Sequence, residues 1–278
     1  MRTEFIDING RKIKVFHYSS GDKGTILGIH GLSGNGYSLE YYRQAFSKDY
    51  RFITMDLYGR GDSKEDGSSS GLFKHAEDII QLINHLKLDE VILIGYSMGA
   101  FISSIVAGKT DKVKAVVLLD GLATMSEHQR SIIEPSLSRL SAPYGSKEEY
   151  ISKTIRSYET LGIPDRSELR TLLAYEIEEH DNHWENKASE SVIRNDWETF
   201  WQVNIGEIGK QISQPVLLVI ALGNIGDNPP LFLPEHYQDT IKVIENLEVV
   251  TTEANHYTMG FEPREDIKQE IVAFLNGV

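Results

Sequence analysis

Two hydrophobic rhythms alternate along this chain. Short apolar runs occupy positions 4–8, 12–17, 25–29, 52–56, 91–95, 113–119, 216–220 and 247–251. Most are Val-, Ile- and Leu-rich, as strands buried on both sheet faces are. Between the later runs, apolar residues recur with helical spacing. Leu72, Phe73, Ala76, Ile79, Ile80, Ile83 and Leu86 form one broad stripe, and 267–275 reads as a closing helix. Strands alternating with helices predict a mostly parallel sheet covered on both faces. Asn9-Gly10 separates the first two runs and favours a tight hairpin turn, so that pair should run antiparallel at the sheet edge.

The rhythm stops between 121 and 212. No run there reads as a strand; the segment is acidic and helical, with Tyr150, Tyr158, Tyr175, Trp184, Trp197, Phe200 and Trp201 along it. Gln214-Pro215 and the run that follows resume the sheet. The expected organisation is a core built from 1–120 and 213–278, with a helical cap, 121–212, inserted after the sixth strand. All three tryptophans fall in the cap, where they either hold it together or line an apolar pocket. Ser68-Ser69-Ser70-Gly71 is a local loop, and no internal repeat is present.

Composition narrows the function classes. The 278 residues carry a net charge of -13, which excludes a basic nucleic-acid footprint and disfavours anionic membrane surfaces. With no cysteine there is no disulfide, thiolate metal site or thiol nucleophile. Met1-Arg2-Thr3-Glu4-Phe5 lacks the apolar core of a signal peptide, and no run approaches the roughly 20 apolar residues of a membrane span. A cytoplasmic location is expected.

The candidate chemistry centres on Gly95-Tyr96-Ser97-Met98-Gly99, which joins an apolar run to a helical pattern rich in small residues. A serine flanked by glycines on a strand-to-helix turn matches a nucleophile elbow. Such a serine needs a base, an acid that orients the base, and N–H donors for an oxyanion. His256 follows the last strand and precedes the closing helix, where a base belongs. Other histidines are placed less well: His17 on an early strand, His75 and His85 on a helix surface, His128, His180 and His183 in the cap, His236 at a helix start. The Met98 amide follows the nucleophile and is one oxyanion donor. The Leu32 amide, in the turn His30-Gly31-Leu32-Ser33-Gly34-Asn35-Gly36, is the second. His30 is expected to anchor that loop by hydrogen bonds.

The order His30-Gly31, Asp56-x-x-Gly59-x-Gly61-x-Ser63, Ser97 and His256 resembles the α/β-hydrolase fold superfamily over essentially the whole chain. The resemblance implies a mostly parallel eight-stranded sheet flanked by helices, with an inserted helical cap. It also implies that the Asp56 motif is a structural turn, with Asp56 and Ser63 bonding backbone groups and the glycines at positive φ. The acid departs from the usual pattern. Its commonest place, in the loop after the seventh strand, holds Asn224, with Asp227 three residues later. Asp120, ending the sixth strand, is the other candidate; haloalkane dehalogenases carry their acid there. Both keep the order Ser, Asp, His.

The expected activity is that of a serine hydrolase on a carboxylic ester, lactone or related acyl compound, needing neither cofactor nor metal. Its expected partner is a small acyl substrate, with no nucleic acid and no membrane. The alternatives are a meta-cleavage-type carbon–carbon hydrolase and a small-molecule receptor built on the same fold. Tyr96 and Met98 beside the serine weigh against a proline iminopeptidase, which usually has tryptophan there. His180-Asp181-Asn182-His183, near Glu178 and Glu179, reads as a solvated cap loop rather than metal ligands. The glycines at 31, 34 and 36 lack the βαβ context of a dinucleotide fingerprint.

Overall fold

Asn9 and Gly10 take φ of 55° and 84°, reversing β1 (Arg2–Ile8) onto β2 (Arg11–His17) in the computed structural model, which describes residues 1–19 and 21–278. The inner strands β3 (Thr25–Ile29), β4 (Arg51–Met55), β5 (Val91–Tyr96) and β6 (Val113–Leu119) follow. Between them run α1 (Glu40–Phe46), α2 (Leu72–His85) and α3 (Met98–Ala107). After β6 come α4 (Glu127–Leu137), α5 (Lys147–Thr160) and α6 (Ser167–Glu176). A hairpin of β7 (Ile177–His180) and β8 (His183–Asn186) leads to α7 (Glu190–Thr199) and α8 (Ile205–Gly209). The chain closes with β9 (Val216–Ala221), α9 (Gln238–Val243), β10 (Leu247–Thr252), α10 (His256–Phe261) and α11 (Glu265–Asn276).

Eight strands form one sheet in the order β1-β2-β4-β3-β5-β6-β9-β10, and β2 alone runs against its neighbours. Side chains alternate across the inner strands, so two apolar cores form. Leu27, Leu93, Val116 and Leu118 meet Ile79 and Ile83 of α2 and Ile102 and Ile105 of α3 on one face. Ile26, Phe52, Ile94 and Val117 meet Tyr42 and Phe46 of α1 and Ile271 and Phe274 of α11 on the other. Among the described residues, no helix is long and apolar enough to cross a membrane.

The β7–β8 hairpin corrects the expectation of a strandless, looped segment at 177–186. Asp181 and Asn182 take φ of 39° and 72°, which short polar side chains tolerate, so His180 pairs with His183 across a two-residue turn. Strands of four residues are too short to show an alternating pattern. His180 bonds Glu178 at 3.1 Å and His183 bonds Glu185.

The Asp56 turn is built from backbone contacts. Asp56 accepts from the amides of Gly36 at 2.8 Å and Asp62 at 2.9 Å, while Ser63 donates to the Asp56 carbonyl at 2.8 Å. Gly59 and Gly61 take φ of 76° and 51°. The same turn carries a polar seam to the β6–β9 segment. Tyr175 of α6 donates to Asp56 at 2.5 Å. Burial pushes the Asp56 carboxyl up to about 6, against the pull of the Tyr175 hydroxyl and the two amides. Asp62 bridges Lys14 at 2.6 Å and Lys187 at 2.7 Å.

Partial burial alone would raise the Asp62 carboxyl, but Lys14 and Lys187 hold it at about 2, below the ordinary 3.8. A depressed carboxyl stays ionised in the folded chain at pH values where the unfolded chain has taken up the proton. Its stabilisation is therefore complete above about pH 4 and is lost as pH falls towards about 2. Asp62→Asn is expected to lower Tm at neutral pH by about 2–4 °C, with the gap to wild type closing over that acid window. Thermal melts at stepped pH check this; a gap that stays constant to pH 2 contradicts it.

Candidate active site

Ser97 sits between β5 and α3 with φ 55° and ψ -117°, a strained conformation for a residue with a side chain. Its amide donates to the Leu119 carbonyl of β6 at 2.9 Å, pinning the turn to the neighbouring strand. The flanking glycines are required by close approach. A Cβ on Gly95 would lie 2.2 Å from the Gly99 carbonyl oxygen, and one on Gly99 would lie 2.0 Å from the Ile29 oxygen. The turn thus presents Ser97 Oγ at the end of the sheet where β3 and β6 also terminate.

His256 and Asp120 reach the same point. The His256 ring lies with Nε2 3.1 Å from Ser97 Oγ and Nδ1 2.7 Å from Asp120 Oδ2. Asp120 follows β6 with φ 46° and is fully buried. Its Oδ1 accepts from the Ala221 amide at 2.9 Å and the Tyr237 hydroxyl at 2.8 Å. Burial and the adjacent Asp120 carboxylate raise the Tyr237 phenol well above its ordinary range, so it remains a donor. Asp227 is placed elsewhere, exposed in the tight turn closed by Ile225 and Asn228. Of the two aspartates, the imidazole bonds Asp120.

Three further contacts hold His256. Asn255 caps α10, accepting from the Tyr257 and Thr258 amides at 3.0 and 2.8 Å. Its Nδ2 donates to the carbonyls of Leu161 and Asn224 at 2.9 and 3.1 Å, tying α10 to the β6–β9 segment and to the β9 loop. Tyr96, next to Ser97, donates to the His256 carbonyl at 2.9 Å and stacks on the ring at 5.0 Å. Tyr96 and Tyr237 escaped the sequence reading because nothing in their local pattern marks them as partners of residues more than 100 positions away.

The loop after β3 lies against this group. His30 Nδ1 bonds the Gly31 carbonyl at 2.7 Å and Nε2 accepts from the Leu57 amide at 3.1 Å. Burial lowers the His30 imidazole to about 3, so it stays neutral and anchors the loop. The Leu32 and Met98 amides donate to no backbone carbonyl among the described residues. Arg60 holds the Leu32 carbonyl through Nε and Nη2 at 3.0 and 2.8 Å.

A cavity of about 340 Å³ opens over Ser97 and His256. Its aromatic walls are Tyr96, Tyr144, Tyr158, Tyr257 and Phe261, with Arg139 and Glu176 as a polar end. Of the two readings of the tryptophans, packing is the one seen, since none lines this cavity. Trp197 is buried between Phe200 and Trp201, at 5.5 and 6.1 Å, and donates to Glu134, while Trp184 pairs through its backbone with Tyr144. His75 is a second correction. It is not a surface residue of α2 but fully buried, with Nε2 2.8 Å from Asp196 Oδ2. Asp196 in turn pairs with Arg60, and this charge neighbourhood is what draws a polar side chain inward. Among the described residues, no group of three or more His, Asp or Glu side chains is placed to hold a metal ion.

The fold has close counterparts. The crystal structure of E-2-(acetamidomethylene)succinate hydrolase superposes with a TM-score of 0.87 at 22% identity, covering 99% of both chains. The family profile described as alpha/beta hydrolase fold matches residues 24–153. The chain has the α/β-hydrolase fold. Curated relatives match in part. A Haemophilus influenzae protein, provisionally named an esterase/lipase, is 40% identical over 74 residues, which are 27% of this chain and 25% of that one. The (E)-2-((N-methylformamido)methylene)succinate hydrolase of Acinetobacter baylyi is 27% identical over 118 residues, 42% of this chain and 45% of that one. The chain thus spans under half the length of both relatives.

The packing at the α/β-hydrolase elbow is directly testable. Gly99→Ala forces a methyl against the Ile29 carbonyl and is expected to cost about 1–3 kcal/mol of stability. Urea unfolding measures it, and an unchanged midpoint contradicts the close approach.

Proposed function

We propose that this protein is a serine hydrolase that cleaves a carboxylic ester, lactone or related small acyl compound through an acyl-enzyme. One observation carries the reading: Ser97 Oγ, the His256 imidazole and the Asp120 carboxylate form a continuous hydrogen-bonded chain of 3.1 and 2.7 Å at the mouth of a cavity. In this reading His256 Nε2 takes the hydroxyl proton as Ser97 attacks the carbonyl carbon. Asp120 fixes the tautomer that leaves Nε2 free and stabilises the imidazolium. The carbonyl electrons move onto oxygen, which the Leu32 and Met98 amides receive. His256 then returns the proton to the leaving alcohol. Water, deprotonated by the same nitrogen, attacks the acyl carbon and regenerates Ser97. Substrate, water and these side chains account for every proton and electron pair in the cycle.

Residues 121–212 act in this reading as a cap over the pocket, supplying Ile133, Arg139, Tyr144, Tyr158 and Leu161 to its walls. A volume of about 340 Å³ suits a small ligand, and the aromatic walls suit an acyl chain or ring.

Ser97→Ala is expected to cut turnover of short p-nitrophenyl esters by about 10³-fold or more, and Asp120→Asn by about 10²–10⁴-fold. Asp227→Asn should leave the rate within about twofold, because its carboxylate is exposed in a turn of its own and the imidazole bonds Asp120 instead. Steady-state kinetics on the folded variants checks all three. Wild-type rates in Ser97→Ala refute the assignment. A screen of esters and lactones beside dienoic diketo acids separates acyl hydrolysis from carbon–carbon cleavage, and ligand-dependent thermal shift without turnover supports a receptor instead.

A further inference from the structure

We propose that Arg60 is a positioning residue for the oxyanion loop, and that Asp196, reaching in from α7, sets Arg60 for this task. The inference rests on the acyl-transfer reading above. Arg60, His75 and Asp196 are fully buried, in a cluster that the triad does not touch. The guanidinium is divided between two jobs. One edge, Nε and Nη2, places two N–H groups on the single carbonyl oxygen of Leu32 at 3.0 and 2.8 Å. The remaining nitrogen, Nη1, donates to Asp196 Oδ2 at 2.5 Å and to the Tyr58 carbonyl at 2.9 Å. Asp196 Oδ2 is shared with His75 Nε2 at 2.8 Å, so its direction is fixed from a second side.

An ion pair that merely joined α7 to the sheet would not need both lone pairs of one loop carbonyl. Leu32 is the residue whose amide is assigned to the oxyanion. Its carbonyl fixes the following peptide plane, while the Gly34 amide closes the preceding one onto the Gly31 carbonyl at 3.1 Å. Held at both ends, the Leu32 amide has one direction. The loop is also tight against the nucleophile, since a Cβ on Gly31 would lie 3.3 Å from Ser97 Cβ. A second cationic contact, Arg139 Nη2 to Ser33 Oγ at 3.2 Å, reaches the same loop from the β6–β9 segment. The seat of α7 is thereby transmitted to an oxyanion donor through one rigid planar group. Removing one such donor outright costs about 10²–10³-fold in kcat, so loosening it should cost part of that.

The discriminating variant is Arg60→Lys. Lysine keeps a positive charge for Asp196 but lacks the fork that grips Leu32. The test follows the rate at which a fluorophosphonate probe labels Ser97, read by intact-mass spectrometry, beside kcat and KM on a p-nitrophenyl ester. Labelling needs the oxyanion donors but no knowledge of the natural substrate. Labelling of wild type and none of Ser97→Ala upholds the nucleophile reading first; its failure there refutes that reading and this proposal together. Given that, folded Arg60→Lys is expected to label about 10–100-fold more slowly, with kcat reduced in parallel and KM within about threefold. Asp196→Asn should show the same kcat-against-KM split. Arg60→Lys labelling at the wild-type rate overturns the proposal, whatever its Tm. If Arg60→Lys does not fold, Asp196→Asn decides on the same readout: a wild-type labelling rate there likewise reduces the cluster to a structural brace.

Discussion

The backbone turn at Ser97 admits no larger neighbours, and the rest of the site is arranged around that constraint. Gly95 and Gly99 bring β5 and α3 into contact with β3, and the Ser97 amide is bonded to β6. Because β3 and β6 flank β5 in the sheet, the loops that follow them must emerge beside the serine. One supplies Leu32, the other Asp120. The parallel direction of these strands makes the convergence a property of topology, and the close packing makes it precise to fractions of an ångström.

Burial then dictates which polar groups accompany the serine. Asp120 is removed from water, and its two oxygens are satisfied by Ala221, Tyr237 and His256. Left without those donors, its buried oxygens would carry the full cost of lost hydration. The same accounting governs the seam between the sheet and the β6–β9 segment. Asp56 meets Tyr175, Asp62 meets two lysines, and Arg60 meets Asp196. Each pair is built from one residue of the core and one of the segment, except that Lys14 also comes from the core. These contacts hold the pocket walls at a defined distance from Ser97.

Local features were legible in the sequence and relational ones were not. The elbow, the Asn9-Gly10 turn and the eight apolar runs depend on neighbours within a few positions, and the observed strands match those runs closely. His256 stood out because it follows the last strand. The choice between Asp120 and Asp227 required knowing that β6 and β9 are adjacent and that the β9 loop folds its own turn outward. His75 misled for a related reason: a polar residue on an amphipathic helix reads as solvent-facing unless its buried ionic partners are known. The tryptophans could not be assigned from sequence, since packing α7 against the core uses their size as fully as a pocket would. Tyr237, Tyr96 and Asn255 carry no local mark, and only the fold brings them to His256.

The crossover between β6 and β9 has an evolutionary corollary. β6 and β9 are parallel neighbours, Leu119 beside Val219, so the roughly hundred residues between them leave one strand and cross back to enter the next. Closing a longer or shorter excursion between two such posts changes the chain entropy only logarithmically. The sheet can therefore accept connections of varied length here while its strands keep their register. The seam limits what can be exchanged: a replacement that brought no acid to Arg60 would strand a dehydrated cation in the interior.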